Sequence, residues 1–329
     1  MLDTVTTDAA GSTDAAIAVD ARYTAHNYSP LPIVAASAEG CWVTDVEGRR
    51  YLDCLAAYSA VNFGHRHPQI TATAHAQLDS VTLVSRAFHS DKLGPFSQAL
   101  AALCGKDMVL PMNTGAEAVE SGIKVARKWG TDVKGVAEGR ANIIVMDGNF
   151  HGRTTTIISF SSDESARRGF GPFTPGFRSV PYGDADAVAA AIDDDTVAVL
   201  FEPIQGEAGI VVPPADFLPR LSALCHAHDV QLGFDEVQTA GGPTGTFFAI
   251  DAFELPHPPQ AVAAGKKLGN GVVYMQRPMK DRGVLDSTWG GTLADMVRFV
   301  QEMTVVRDER LVEAVPRKVD RTLAFIQEA

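Results

Sequence analysis

The sequence predicts an α/β protein built on a mostly parallel sheet flanked by helices, and three observations carry that expectation. Apolar runs with little polar alternation recur at Asn142 to Met146, Val197 to Phe201, Val230 to Phe234 and Ala261 to Ala264; strands of that kind are covered on both faces. Segments with helical apolar spacing stand between them. Two of the runs lead directly to a side chain capable of chemistry, Asp235 and Lys266, where ligands gather beyond the carboxyl ends of parallel strands.

Taken in order, residues 1–21 are rich in Ala, Thr and Asp and lack a basic segment, which reads as an unstructured leader rather than a signal peptide. Residues 22–65 form an N-terminal segment in which Gly40 to Leu55 (GCWVTDVEGRRYLDCL) is expected to be a hairpin turning at Glu47-Gly48. A large domain is expected over 66–300. It opens with helical spacing from Pro68 to Leu83 and Leu93 to Leu103, then alternates the four strands with helices at Ala116 to Trp129, Ala185 to Ile192 and Pro219 to His228. Residues 301–329 are read as the start of a small C-terminal domain that is largely missing.

The bulk numbers limit the function. A chain of 329 residues can bury a large core. Its 46% hydrophobic and 21% charged residues suit a globular enzyme. A formal charge of −12 argues against nucleic acid or an anionic membrane as partner. No 18-residue apolar span predicts a membrane helix. Cys41, Cys54, Cys104 and Cys225 are widely spaced without a CxxC pair, so reduced core thiols and a cytoplasmic setting are expected.

An acid and a lysine at the ends of consecutive strands can hold the two sides of one pyridoxal phosphate ring. The carboxylate keeps the pyridine nitrogen protonated, and the lysine forms a Schiff base with the aldehyde. The apolar run before Asp235 would bury its carboxylate, which then needs a cationic partner. Lys266 is preferred to Lys267 because it follows Gly265, where backbone can approach a ligand closely. Thr114 and Glu117 have capping-box spacing at the start of a helix, whose free N–H groups suit a phosphate. Each feature also has a plain reading: a surface acid, an exposed lysine pair, a simple capped helix. His65-Arg66-His67 fits a turn before a helix, and His226 and His228 face different ways on theirs, so no metal is expected.

Six motifs then occur in order: Asn113 to Ala118 (NTGAEA), Gly148 to Thr154 (GNFHGRT), Glu202 to Gly209 (EPIQGEAG), Asp235 to Gln238 (DEVQ), Gly265-Lys266 and Ser287 to Gly291 (STWGG). Through them the chain resembles the class III (subgroup II) pyridoxal-phosphate aminotransferases over residues 22 to 300, with the likeness falling on the branch that uses ornithine. The resemblance implies the type I fold of pyridoxal-phosphate-dependent transferases. It assigns Thr114, Gly115 and Ala116 to the phosphate, Phe150 to stacking on the ring, Asp235 to the ring nitrogen, Gln238 to the ring hydroxyl and Lys266 to the cofactor linkage. Thr288 would reach the phosphate of a neighbouring subunit in a homodimer. Arg153 would bind a substrate carboxylate, Tyr28 and Tyr58 would surround the far end of the substrate, and Glu207 would neutralise the arginine site while a diamine is bound.

The implied reaction moves the terminal amino group of ornithine to 2-oxoglutarate, giving glutamate semialdehyde and glutamate. Three departures keep alternatives open. His151 stands where the ornithine branch usually carries Trp, as in acetylornithine enzymes. The loop from Lys267 to Asp286 is shorter than in the family and, with the GKK and STWGG wording, resembles the lysine ε-aminotransferases. The family continues past the position of Ala329 into a small α/β domain that supplies an arginine partner for Glu207. A non-catalytic truncated paralogue, or a subunit completed by a partner, is the alternative of another class.

Overall fold

The computed structural model describes residues 12–269, 271–275, 281 and 283–328, with residues 272–275 described by backbone alone. It divides into two units, Met1–Thr71 and Ala72–Ala329.

The first unit opens with helix α1 (Thr13–Tyr23), capped by the Ser12 hydroxyl accepting the Ala15 amide at 3.3 Å. The leader expected to be unstructured is therefore helical from Thr13 onward, because a serine N-cap precedes an alanine-rich run of high helix propensity; the leader's first eleven residues lie outside the described ones. Strands β1 (Ala35–Glu39), β2 (Trp42–Asp45) and β3 (Arg50–Leu52) form an antiparallel sheet in that order. The Asp45 carboxylate closes the β2–β3 turn by accepting the amides of Glu47 (2.9 Å) and Arg49 (2.8 Å), the Arg49 Nε and the Tyr51 hydroxyl. A short helix α2 (Ala56–Ser59) follows, and α3 (Pro68–Ser80) begins at the end of this unit.

The second unit continues through α4 (Leu93–Cys104), β4 (Met108–Met112), α5 (Gly115–Trp129), β5 (Asn142–Met146), α6 (Thr155–Ile158), α7 (Glu164–Arg167) and β6 (Phe177–Val180). Then come α8 (Ala185–Ala191), β7 (Thr196–Phe201), α9 (Phe217–Ala227), β8 (Gln231–Glu236), β9 (Ala261–Ala264), β10 (Gly271–Met275), α10 (Leu293–Asp308) and α11 (Val315–Glu328). The sheet order is β4-β10-β9-β8-β7-β5-β6. Four neighbouring pairs from β9 to β6 are parallel, while β10 runs antiparallel to both β4 and β9. Alternate residues of the central strands enter two cores. Ile144, Met146, Val199, Phe201 and Phe234 pack with Phe96, Phe217 and Phe299; Ile143, Val145 and Ala198 pack with Val119 and Ile123 of α5. This two-sided burial explains why the strands read as continuous apolar runs.

Three expectations need correction. The segment from Lys267 to Asp286, read as a loop, contains β10, a short strand between two others; residues 270, 276–280 and 282 of that segment lie outside the described ones. The boundary placed after residue 300 falls inside α10, whose buried face runs on from Leu293, Met296 and Phe299 to Val305 and Val306. The cysteines are all free, but they are not all core thiols: Cys225 is buried and Cys104 packs half-buried against the core, whereas Cys41 and Cys54 are exposed.

Candidate active site

Asp235 and Glu236 end β8 side by side, and strand alternation separates their roles. Glu236 accepts the Thr239 hydroxyl (2.7 Å) and the amides of Ala249 (2.8 Å) and Ile250 (2.9 Å). It is a fully buried structural acid, pushed up to about 7 by burial. Asp235 accepts the Val237 amide on one oxygen at 2.9 Å and meets His151 Nδ1 with the other at 2.7 Å.

The next strand, β9, pairs in register with β8 and delivers two lysines just beyond its end. Lys266 has a left-handed backbone, φ 50°, a conformation most side chains avoid. Its half-buried amine has a pKa lowered by desolvation, against the opposing pull of Glu207, Asp235 and Glu202. Lys267 diverges: it is 1% exposed and donates to the Gln238 carbonyl at 2.5 Å. Burial and the neighbouring Lys266 charge bring Lys267 down to about 8. The amine under the charges of Glu207, Asp235 and Glu202 is therefore that of Lys266.

The start of α5 carries a full capping box. Thr114 accepts the Glu117 amide (3.1 Å), and Glu117 accepts the amides of Thr114 (3.1 Å) and Asn113 (2.7 Å). Helix geometry leaves the Gly115 and Ala116 amides without intrahelical acceptors, at the positive end of a 15-residue helix. The cap is wedged against β10, since a Cβ on Gly271 would stand 1.9 Å from the Thr114 carbonyl oxygen.

The loop after β5 is fixed by buried Asn149, which donates to the carbonyls of Met146 (2.6 Å) and Phe160 (3.1 Å). It presents Phe150, 39% exposed, whose amide donates to Glu202 at 3.1 Å. The exposed Arg153 guanidinium lies 5.5 Å from the Phe150 ring centroid. Glu202, just past β7, is pushed up to about 7 by burial, with Asp235 and Glu207 adding to the rise and His151 opposing it. Glu207 is exposed in the following turn. The Gln238 carboxamide packs so closely on Gly206 that a Cβ there would come within 3.0 Å of it.

The charges of Asp235, Glu207 and Glu202 thus act on Lys266, and Phe150 and Arg153 join them through Glu202 and the shared loop. Thr288 is exposed in a turn next to Ser287, whose hydroxyl accepts from Asn113 at 3.0 Å beside the α5 cap. Tyr28 and Tyr58 belong to the first unit, 63% and 46% exposed. Tyr58 sits in a run of left-handed residues, Ala56 to Ser59. Two groups here have no role assigned by the sequence motifs: His151 reads as a departure from the ornithine branch, and Glu202 as one letter of a motif, although an acid just beyond the strand next to β8 is the available signal.

A cleft of ≈ 300 Å³ between α5 and the sheet, lined by Ile123, Trp129, Ala198, Gly233 and Ala263, reaches Asp229 and Gln260 at the amino-terminal end of the strands. It is apolar and lacks the convergent titratable groups found at the carboxyl end. An amine with a depressed pKa, a buried carboxylate and an anion cradle are the parts needed to hold a phosphorylated aldehyde with a basic ring nitrogen, and pyridoxal phosphate fits that donor set.

The sequence profile of aminotransferase class-III matches residues 23–328. An ornithine aminotransferase of Brevibacillus brevis is 51% identical over 300 residues, covering 89% of this chain and 75% of that protein. One from Bacillus subtilis is 49% identical, covering 89% and 74%. Among solved structures, the ornithine aminotransferase of Toxoplasma gondii, with pyridoxal phosphate in partial occupancy at its active site, superposes with a TM-score of 0.91 at 36% identity, covering 94% of this chain and 75% of that one. The acetylornithine aminotransferase of Elizabethkingia anophelis gives 0.83 at 41% identity, covering 96% and 79%.

Proposed function

The chain belongs to the class-III aminotransferases, and from that premise we propose that it is a pyridoxal-phosphate enzyme transferring the terminal amino group of ornithine to 2-oxoglutarate. The carrying observation is the placement of Asp235 and Lys266 at the carboxyl ends of adjacent parallel strands, where the charges of Glu207, Asp235 and Glu202 act on the Lys266 amine. The names of the relatives near 50% identity supply the donor.

Bound pyridoxal phosphate supplies an electron sink that lets the carbon next to the amine lose a proton. The protein does the rest. Thr114, Gly115 and Ala116 hold the phosphate at the head of α5. Asp235 keeps a proton on the ring nitrogen, Gln238 meets the ring hydroxyl, and Phe150 covers one ring face. Lys266 carries the cofactor through its amine; once free, that amine takes the proton from one carbon and returns it to another. Its depressed pKa suits a base. Arg153 receives a substrate carboxylate with bidentate geometry. Glu207 offsets positive charge while a diamine is bound, and Tyr28 and Tyr58 line the far end of the substrate.

The working unit in this reading is a homodimer in the cytoplasm, with Thr288 reaching the phosphate of the neighbouring site. No described helix is long and apolar enough to cross a membrane.

Acetylornithine is the second donor to consider, favoured by His151 and by the 41% identity to an acetylornithine enzyme. The test is turnover of purified, cofactor-loaded protein with ornithine, acetylornithine and lysine, each with 2-oxoglutarate. Glutamate formation fastest with ornithine supports the proposal. Turnover confined to another donor refutes it, and so does cofactor uptake without any turnover.

A further inference from the structure

The Asp235 carboxylate has a partner before any cofactor is considered. His151 is 3% exposed, its Nδ1 stands 2.7 Å from Asp235 Oδ2, and its ring packs against Phe160 at 5.9 Å between centroids. Its Nε2 is buried with no hydrogen-bond partner among the described residues. All the hydrogen bonding seen for this ring is therefore directed at Asp235.

That arrangement has a geometric consequence. The terminal torsion of an aspartate is broad, so one hydrogen bond leaves the carboxylate plane free to turn. Asp235 has two, one on each oxygen, from the Val237 amide and from His151. The first comes from its own turn. The second comes from the loop after β5, which buried Asn149 holds to Met146 and Phe160.

We propose that His151 is a positioning residue that acts through Nδ1–H to aim the Asp235 carboxylate, and so gives the protein its preference for a cofactor whose ring carries a basic nitrogen. The proposal rests on the cofactor reading above. A neutral imidazole protonated on Nδ1 is sufficient for the role. The charged groups facing this pair are Glu202, from the end of β7, and Lys266, from the end of β9. Desolvation works against protonation of His151, but the Asp235 hydrogen bond and the Asp235 and Glu202 charges raise its pKa overall.

The test compares binding of pyridoxal phosphate with its 1-deaza analogue, which has carbon in place of the ring nitrogen, to wild type, His151→Phe and His151→Asn. Asparagine places an amide N–H near the position of Nδ1, while phenylalanine keeps a ring without a donor. Dissociation constants come from equilibrium dialysis, with thermal unfolding of each apoprotein as the check on folding. A charge-assisted hydrogen bond lost on the route to the ring nitrogen corresponds to roughly 10- to 100-fold. Wild type should therefore prefer pyridoxal phosphate to the analogue, His151→Phe should lose most of that preference, and His151→Asn should keep it. Equal weakening of both ligands by His151→Phe, preference intact, overturns the proposal and makes His151 a packing residue. Failure of wild type to take up pyridoxal phosphate overturns the cofactor reading as well, so the two failures are distinct.

Discussion

The contact between Gly271 and the cap of α5 allows a sharp perturbation. In Gly271→Ala the new Cβ would lie 1.9 Å from the Thr114 carbonyl oxygen and 2.5 Å from its carbonyl carbon. Both are backbone atoms, so no side chain can swing away. Reaching an ordinary contact of 3.4 Å requires β10 and the cap to separate by about 1.5 Å. Overpacking of this kind costs about 1–3 kcal/mol, and a backbone clash belongs at the upper end. At about 2.1 cal/mol/K of unfolding entropy per residue, a chain of 329 residues shifts by roughly 1.4 °C per kcal/mol, so the melting temperature should fall by about 3–4 °C. Part of the strain should relax by displacing Thr114, and with it the Gly115 and Ala116 amides. One charge-assisted hydrogen bond misplaced there should weaken pyridoxal phosphate by roughly tenfold or more.

The assay is differential scanning calorimetry of the apoprotein with dialysis binding of the cofactor, using Gly122→Ala as control. Gly122 lies in the same helix, but an added Cβ meets nothing within 4 Å. That variant should gain up to about 1 kcal/mol from helix propensity and bind the cofactor normally. A Gly271→Ala protein that melts with wild type and binds the cofactor equally well would refute the packing argument. Loss of stability with unchanged affinity would refute the assignment of the cap as the phosphate site.

Three further outcomes follow from the same geometry. Lys266→Ala should abolish the visible absorbance of the cofactor-loaded protein, whereas Lys267→Ala should keep it while losing about 2–5 kcal/mol, because Lys267 is fully buried and pins the Gln238 carbonyl. Glu302, buried in α10 beside Arg298, is pushed by burial from 4.5 up to about 7; the folded state binds its proton more tightly, so the stability it lends is present below pH 4.5 and lost as pH rises toward 7. Glu302→Gln should therefore raise the melting temperature at pH 8 and change it little at pH 4.5, and equal shifts at both would contradict the linkage. Arg153→Ala should raise KM for 2-oxoglutarate roughly 10-fold or more with an unchanged melting temperature, since the guanidinium is exposed and its contact among the described residues is with the Phe150 face.

What the sequence revealed and what it hid have separate physical causes. The central strands were legible because burial on both faces leaves unbroken apolar runs, and each run ends where its chemistry begins. The remaining three were not. Strand β4 contains Pro111, which is tolerated because β4 is the sheet edge; β6 is the opposite edge and only four residues long; β10 is hidden in a segment that looked like a shortened loop. The glycine neighbour favours Lys266 over Lys267, but the structure separates them by surroundings: the charges of three carboxylates act on one, while a carbonyl and the core hold the other. No rule of local spacing contains that information.

His151 shows the limit most clearly. The apolar run before Asp235 predicts its burial, and the cofactor ring is the cationic partner that the sequence alone offers. The protein must also fold and persist before the cofactor arrives, with a carboxylate 5% exposed. A buried charge without a partner would cost several kcal/mol in that state. A second donor therefore had to exist within the chain, and a histidine already conspicuous in the Gly148 to Thr154 motif was the side chain best suited to supply it. It lies 84 positions from Asp235 in sequence, so the pairing could be argued for from charge balance but not from spacing. The same requirement applies to any cofactor site whose anchoring acid is buried: the partner present in the apoprotein is part of the site, and here it is the loop after β5 that brings it there.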